Sequence, residues 1–148
     1  MEKLKEHIQS VIDIYKSGNL SEAEILTKKL INEMWIEFND KKVIESHIYN
    51  RPMKEENLDN LNAQKLFNYY IQSYETERNV NLLMELHPYL LTKKTNIVHY
   101  NYDSFLFDYH KDDGVQTLYD IKKILEQSGF ITNTKVGNNY GEMKKYEF

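Results

Sequence analysis

The most constraining feature of the sequence is a segment at residues 97–109, where two β-favouring runs flank a short polar tip. The runs at residues 96–102 and 104–109 predict the two strands of a hairpin, with Asp103 at its tip. A carboxylate held at the end of a rigid hairpin is well placed to bind a metal ion, although aspartate in a turn also has a purely structural role. The apolar residues expected to anchor this hairpin in a core are Ile97, Val98, Phe105, Leu106 and Phe107.

Helical periodicity accounts for most of the remaining chain. The predicted helices cover residues 2–16, 21–38, 55–91 and 115–128, and short β-favouring segments cover residues 43–48 and 130–136. We expect Ser21, with Glu24 three residues later, to cap the second helix, and Pro88 to kink or end the third. A polar turn is expected at residues 39–42, and a turn or hairpin tip at residues 49–52.

This order of elements predicts an α+β fold. Helices are expected around a small antiparallel sheet, together with the hairpin, a following helix and a final strand. A chain of 148 residues is long enough for one domain with a substantial core, so we expect a single domain over residues 1–148. Residues 1–40 are expected to form a helical hairpin within it.

Composition and charge exclude several classes of protein. The chain has no cysteine, which excludes disulfides and thiolate metal sites. No stretch approaches the roughly 20 apolar residues of a membrane span, and the charged first residues lack the apolar run of a signal peptide. We therefore expect a cytoplasmic protein without membrane contact, in the host cytoplasm if a phage encodes it. The net charge of −4 is opposite to that of most free-standing nucleic-acid binders.

A polar stripe follows the third predicted helix. Its members fall at helical spacing and are Asn68, Gln72, Glu75 and Asn79. Side-chain amides can donate to the minor-groove acceptors of DNA, which are nearly the same for every base pair. Such a stripe suits contact with any paired duplex, and it equally suits an ordinary solvated helix face.

Four short segments form a further pattern, and they are Ile44-Glu45-Ser46 through Asn50-Arg51, Asn68-Tyr69-Tyr70-Ile71-Gln72, Tyr102-Asp103-Ser104 and Val136-Gly137-Asn138-Asn139-Tyr140. In order and spacing they resemble the C-terminal palm region of family A DNA polymerases, the group of bacterial polymerase I and phage replicative polymerases. The family motifs that they resemble are Thr-x-x-Gly-Arg, Asn-x-x-x-Gln, the motif C triplet His-Asp-Glu and a terminal Gly-x-Asn-Trp. The resemblance covers about residues 43–140.

The resemblance implies a nucleotidyltransferase of DNA replication that acts on primer–template DNA and dNTPs. In that family two divalent metal ions, normally Mg²⁺, align the reacting groups. Asp103 is then the implied catalytic and metal-binding residue. The implied nucleic-acid contacts are Arg51, Asn68, Gln72 and Tyr102.

The chain departs from the family in ways that make the implied enzyme incomplete. Tyr102 stands where motif C has histidine, Ser104 stands where it has glutamate, and Asn50 replaces a glycine. The sequence contains no Asp-x-Ser-x-x-Glu motif for the second metal-binding aspartate and no fingers helix. We therefore expect a split subunit or a fragment of a polymerase, inactive without a separate chain that carries the rest.

Two other readings come from different classes of protein. The segment Tyr15-Lys16-Ser17-Gly18, followed by Ala23, resembles one tetratricopeptide-like helix pair and suggests a non-catalytic helical interaction module. Such pairs normally stack in about three copies, and one is visible. Asp108, Asp112 and Asp113 suggest a calcium loop, but their spacing does not match that of an EF-hand.

Overall fold

A computed structural model describes residues 2–127 and 129–148, apart from the side chains of residues 2–5 and 57. The described chain has the expected α+β composition. Its helices are α1 (Glu2–Lys16), α2 (Leu20–Lys41), α3 (Ala63–Leu90) and α4 (Val115–Glu126). Its strands are β1 (Val43–Glu45), β2 (Pro52–Lys54), β3 (Asn96–Asn101), β4 (Ser104–Asp108), β5 (Lys135–Val136) and β6 (Lys144–Lys145).

The chain divides into two compact units, Met1–Val80 and Asn81–Phe148. The strands pair as three separate two-stranded antiparallel sheets, β1 with β2, β3 with β4 and β5 with β6, rather than as the one small sheet that we expected. None of the helices in the described part of the chain is long and apolar enough to cross a membrane.

The first unit begins with the helix pair α1 and α2, as the sequence predicts. The cap of α2 differs from the prediction, because Asn19, not Ser21, is the N-cap residue and its side chain accepts from the Glu22 N–H. The polar turn expected at residues 39–42 is also wrong, since α2 continues to Lys41. Lys42 caps this end of the helix, because it has a left-handed backbone (φ 58°) and donates its N–H to the Phe38 carbonyl.

A buried apolar cluster joins the elements of the first unit. Its members come from α1, α2, β1 and α3, and they are Ile8, Leu30, Met34, Phe38, Ile44, Leu66 and Tyr70. β1 and β2 form a short hairpin in which Ile44 pairs with Met53. Residues 46–51, which we call the β1–β2 loop, connect the two strands. The turn lies at residues 47–49, earlier than the expected 49–52, because Pro52 already begins β2.

The third helix starts later than predicted. Glu55–Asn57 form a single 3₁₀ turn, and α3 begins at Ala63, after Asn62 has accepted the Lys65 N–H with its side-chain oxygen. At the other end Pro88 lies in the last turn, two residues before the helix ends at Leu90. This position fits the expected effect of proline, which cannot donate the backbone hydrogen bond that would extend a helix.

The second unit contains the β3–β4 hairpin at the expected place. Ile97 and Phe107 pack against a buried cluster formed by Leu86, Leu90 and Ile121 of α3 and α4. Val98 is 59% exposed and does not anchor the hairpin as expected, because the strand register shifts between Ile97 and His99.

The Asp113 carboxylate fixes the start of β3. It accepts hydrogen bonds from the Lys94 and Thr95 N–H groups and from the Thr95 hydroxyl. The neighbouring Asp112 instead pairs with the Lys94 ammonium group. Both aspartates therefore stabilise the base of the hairpin.

The final strand is much shorter than the predicted residues 130–136. Only Lys135–Val136 is a strand, and it pairs with Lys144–Lys145, which the sequence pattern did not indicate. The Thr132 N–H and hydroxyl both donate to the Glu126 carboxylate at the end of α4. This N–H is therefore not paired with a neighbouring strand. The preceding helix ends at Glu126, and Ser128, its predicted last residue, lies outside the described residues.

Replacing the observed cap of α2 tests this local structure. We expect Asn19→Ala to lower the free energy of unfolding by about 1 kcal/mol, because it removes the side-chain acceptor for the first turn. Urea denaturation followed by circular dichroism gives the value. Ser21→Ala is the matched control and should change the free energy of unfolding by only a few tenths of a kcal/mol. A larger loss for Ser21→Ala than for Asn19→Ala would identify Ser21 as the cap.

Candidate functional site

The tip of the β3–β4 hairpin presents Asp103 to solvent. Asn101 pairs with Ser104 across the strands, which leaves Tyr102 and Asp103 as the two residues of the turn. Tyr102 has a left-handed backbone (φ 50°) and is 80% exposed. The Ser104 hydroxyl donates to the Asn101 carbonyl at 3.0 Å and closes the turn. The sequence-predicted tip therefore exists, and its carboxylate faces away from the core.

Aromatic stacking stiffens the hairpin just behind this tip. The rings of Tyr100 and Phe105 stack across the strands with centroids 5.1 Å apart, and Phe105 stacks on Phe107 at 6.5 Å. Cross-strand aromatic pairs are among the stabilising pairs of antiparallel ladders. The carboxylate of Asp103 is consequently carried on a short, well-supported element.

The tip does not by itself make a metal site. Mg²⁺ prefers near-octahedral oxygen ligands and is usually held by one or two carboxylates together with water and substrate phosphates. Within residues 2–127 and 129–148 no group of three or more histidine, aspartate or glutamate residues is placed to hold a metal ion. Asp108, the carboxylate at the end of β4, lies at the opposite end of the hairpin from Asp103, where it pairs with Asn96. The carboxylates of the described residues alone therefore do not fit a two-metal centre.

In the first unit a buried carboxylate, Glu77 of α3, organises the β1–β2 loop. The residue is 1% exposed and accepts from the Ser46 hydroxyl and from the Ile48 and Tyr49 N–H groups, at 2.9 and 3.2 Å for the last two. The Arg51 Nε donates to the same carboxylate at 3.0 Å. Four donors on one buried carboxylate fix the loop against α3.

Hydrogen bonding dominates the ionisation of Glu77. Burial by itself raises the pKa of its carboxyl group, but the bonds from Ser46, Arg51 and the Ile48 and Tyr49 N–H groups outweigh burial. The net result is a pKa below the ordinary value of 4.5. Glu77 is therefore ionised at neutral pH, and its charge is balanced inside the site.

The Arg51 side chain contacts α3, the helix that carries Asn68 and Gln72. Besides the bond to Glu77, its Nη2 donates to the Ser73 hydroxyl at 3.2 Å, and its backbone N–H donates to the Ser46 hydroxyl at 2.8 Å. Its side chain nevertheless remains 59% exposed. Two nitrogens of the guanidinium group are thus bonded, while more than half of the side chain remains exposed.

A histidine and a buried tyrosine lie next to the same loop. The His47 Nδ1 and the Tyr70 hydroxyl are 3.0 Å apart, and the His47 ring meets the Tyr74 ring edge-on at 5.1 Å. Burial raises the pKa of the Tyr70 hydroxyl, and the nearby charge of Glu77 raises it further. Tyr70 therefore stays neutral and acts as a hydrogen-bonding core residue.

The predicted polar stripe of α3 is only partly a surface. Asn68 and Gln72 are exposed, and the Asn68 side chain accepts from Gln64 at 3.2 Å. Asn79 is 1% exposed, so the expectation that it belongs to an accessible stripe is wrong. Gln72 lies about 100° round the helix axis from its neighbour Ser73, the residue that touches Arg51. The donors of Arg51 and Gln72 are separate contacts, not one cluster.

The candidate residues are divided between the two units. Arg51, Asn68 and Gln72 belong to Met1–Val80, whereas Tyr102 and Asp103 belong to Asn81–Phe148. Within the first unit the structure brings Arg51 onto α3. Within the second it places Tyr102 and Asp103 together at the hairpin tip.

The terminal glycine-containing segment turns between β5 and β6. A Cβ atom at Gly137 would lie 2.9 Å from the Met143 backbone, so no larger residue fits without a shift of the chain. Tyr140, the tyrosine of this segment, is 76% exposed in a 3₁₀ turn. Close packing against the Met143 backbone therefore explains the glycine at position 137, and the Tyr140 side chain lies on the surface.

Sequence reasoning missed Glu77, the residue that shapes the first site. Leu66, Tyr70 and Glu77 occupy one buried face of α3 at helical spacing. A charged residue on an otherwise apolar face is the signal that marks it, because an ionised group is almost never buried without partners. Those partners lie about 30 residues away in the chain, which local patterns do not connect.

Comparison with known proteins adds no relative. No protein-family model, curated protein or solved structure matches the chain. The polymerase resemblance therefore rests on the four sequence segments.

The depressed pKa of Glu77 predicts a pH-dependent contribution to stability. Ionised Glu77 stabilises the fold fully above its unfolded pKa, near 4.5, and the effect is lost as the pH falls through the lower folded pKa. We expect Glu77→Gln to lower the free energy of unfolding by about 2–4 kcal/mol at pH 7 and by clearly less at pH 3.

Urea unfolding of both proteins at the two pH values measures this difference. Glu75→Gln changes a carboxylate on the same helix outside the buried site, and we expect it to have a small effect at both pH values. An equal loss for Glu77→Gln at pH 7 and pH 3 would contradict the stabilising role of the ionised form.

Proposed function

We propose that this chain is the C-terminal palm portion of a DNA polymerase similar to family A, acting as a split subunit or fragment of a template-directed enzyme. The observation that carries the proposal is the exposed Asp103 carboxylate on the two-residue tip of the β3–β4 hairpin. The order of the four sequence segments that resemble the family supports it. The hairpin is the element on which the family carries its motif C aspartate.

Under this proposal Asp103 supplies one metal-binding carboxylate to a catalytic centre that a second chain completes. The second chain contributes the other aspartate and the fingers that hold the incoming dNTP. Mg²⁺ is bound only in the assembled enzyme, because this chain offers one carboxylate at the tip. The chain alone is then inactive, and its activity as a nucleotidyltransferase depends on the partner.

The primer–template contacts are assigned to Arg51, Asn68, Gln72 and Tyr102. Asn68 and Gln72 are exposed on α3 and carry amide donors suited to minor-groove acceptors. The Arg51 side chain is 59% exposed, and Tyr102 is exposed beside Asp103. These contacts do not distinguish base sequence, as a polymerase requires.

A non-catalytic interaction module is the second candidate, and exposed apolar residues on α2 favour it. Ile25 and Ile36 lie three helical turns apart and are each 69% exposed. A protein partner on this helix, without duplex binding by α3, would identify such a module. Binding to duplex DNA that depends on Gln72 would favour the polymerase.

Replacing Asp103 tests the catalytic assignment. The complementing chain is a polypeptide that carries the Asp-x-Ser-x-x-Glu strand and the fingers of a family A polymerase. It is taken from the neighbouring coding sequence where that sequence encodes these elements. We expect the pair to extend a primer and Asp103→Asn to reduce the extension rate by at least about 100-fold, since one catalytic carboxylate is lost. Primer extension on a denaturing gel, with Mg²⁺ and dNTPs, gives the rate.

Asp108→Asn is the matched control, because Asp108 is an exposed carboxylate of the same hairpin but lies at its base. It should leave extension within about twofold of wild type, and neither variant should shift the melting temperature by more than about 2 °C. Full activity of Asp103→Asn in the assembled enzyme, or primer extension by this chain alone, would remove the proposal.

Replacing Gln72 tests the primer–template surface. We expect Gln72→Ala to weaken binding to a primer–template duplex about fivefold to tenfold, equally for A·T-rich and G·C-rich duplexes, because it removes a donor to acceptors common to all base pairs. Fluorescence anisotropy at low salt measures the affinity. Gln116→Ala on α4 removes another exposed amide and should have no effect; equal losses from both changes would argue against a contact specific to α3.

A further inference from the structure

The guanidinium group of Arg51 is attached to α3 at two points. Its Nε donates to Glu77 at 3.0 Å, and its Nη2 donates to Ser73 at 3.2 Å. The two acceptors lie four residues apart and therefore on one face of the helix. Because the guanidinium group is planar, two attachments determine its orientation as well as its position.

Glu77 is the immobile member of this arrangement. Its carboxylate is buried and also accepts from the Ser46 hydroxyl and the Ile48 and Tyr49 N–H groups. Surface ion pairs are usually weak because both partners must lose mobility to meet. Here one partner is already fixed by three other donors, so the arginine takes its orientation from the carboxylate.

We infer that Glu77 is a positioning residue, which holds the Arg51 guanidinium group in the orientation used to contact a DNA duplex. The inference rests on the proposed function, in which the primer–template is the ligand of Arg51. Side-chain ordering is part of the free-energy cost of binding, and a side chain that is already ordered avoids it. Release of Arg51 from Glu77 should therefore weaken duplex binding even though the charge of the arginine remains.

The state of Arg51 can be read directly by NMR, without DNA. The chain has two arginines, Arg51 and Arg78, so a ¹⁵N spectrum contains two Nε–H signals, and Arg51→Lys identifies one of them. We expect the Arg51 Nε–H of the wild-type chain to exchange with water at least about tenfold more slowly than in free arginine, because it is bonded to a buried carboxylate. In Glu77→Gln this protection should be lost.

A double-mutant cycle then connects the two residues to binding. The probe is a primer–template duplex of mixed sequence, followed by fluorescence anisotropy at low salt with the full 148-residue chain. We expect Arg51→Ala and Glu77→Gln each to weaken binding about tenfold, and the double variant to bind no more weakly than Arg51→Ala. Ser73→Ala, which changes the other attachment without touching the buried carboxylate, should weaken binding about threefold.

The outcomes separate the inference from the proposed function. A rapidly exchanging Arg51 Nε–H in the wild-type chain overturns the inference, and this measurement stands even if Glu77→Gln does not fold. An extra loss of affinity in the double variant also overturns it, because Glu77 would then act on binding through the fold and not through Arg51. A wild-type chain that binds no duplex, alone or with a complementing chain, overturns the proposed function, while the exchange of the Nε–H still decides whether Glu77 holds Arg51.

Discussion

The first unit depends on the hydrogen bonds that the buried carboxylate of Glu77 accepts. Removing an ionised carboxylate from water is costly unless hydrogen bonds replace its hydration. Donors from Ser46, the backbone of residues 48 and 49, and Arg51 provide that replacement. The β1–β2 loop consequently takes its shape from a residue of α3, and the exposed arginine at its end is placed by the same group.

The parts of the fold that can be predicted from the sequence are those with local signals, unlike the long-range bonds of Glu77. The α1 helix and the β3–β4 hairpin were predicted at close to their observed limits, because their signals are local: apolar spacing, a stop at Gly18 and two β-favouring runs around a polar tip. The cap at Asn19 and the short last strand were not, because they depend on which acceptor a given N–H finds. In the final segment Glu126 takes the donors of Thr132, and no pattern within residues 130–136 reveals that competition.

The candidate site shows the same division. The position of Asp103 at the tip followed from its flanking residues, whereas the burial of Asn79 and the pairing of Arg51 required the packed structure. Helical spacing places Asn68, Gln72 and Asn79 near one side of α3, but the surroundings change along the helix. A periodic pattern therefore identifies a face and leaves open which part of that face reaches solvent.

The charge of Arg51 also bears on how an acidic chain would meet DNA. Its positive charge is matched by Glu77, so this site adds no net positive charge to a chain that carries −4. Phosphate neutralisation normally supplies the sequence-independent affinity of DNA binders. Under the proposed function that share must come mainly from the complementing chain, while this chain contributes oriented hydrogen-bond donors.

Asp103 has a well-defined position at the hairpin tip, but it is a single carboxylate and, among the described residues, lacks further metal ligands beside it. Tyr102 keeps a left-handed backbone that an L-residue adopts at a cost of about 1 kcal/mol, and a two-stranded hairpin is marginal without support. Ile97 and Phe107 supply that support from the core, and Asp113 fixes the first strand. The fold thus holds one carboxylate in an exposed position, where a metal ion needs ligands from more than one element. One carboxylate cannot supply them, and under the proposed function a second chain brings the other aspartate to Asp103.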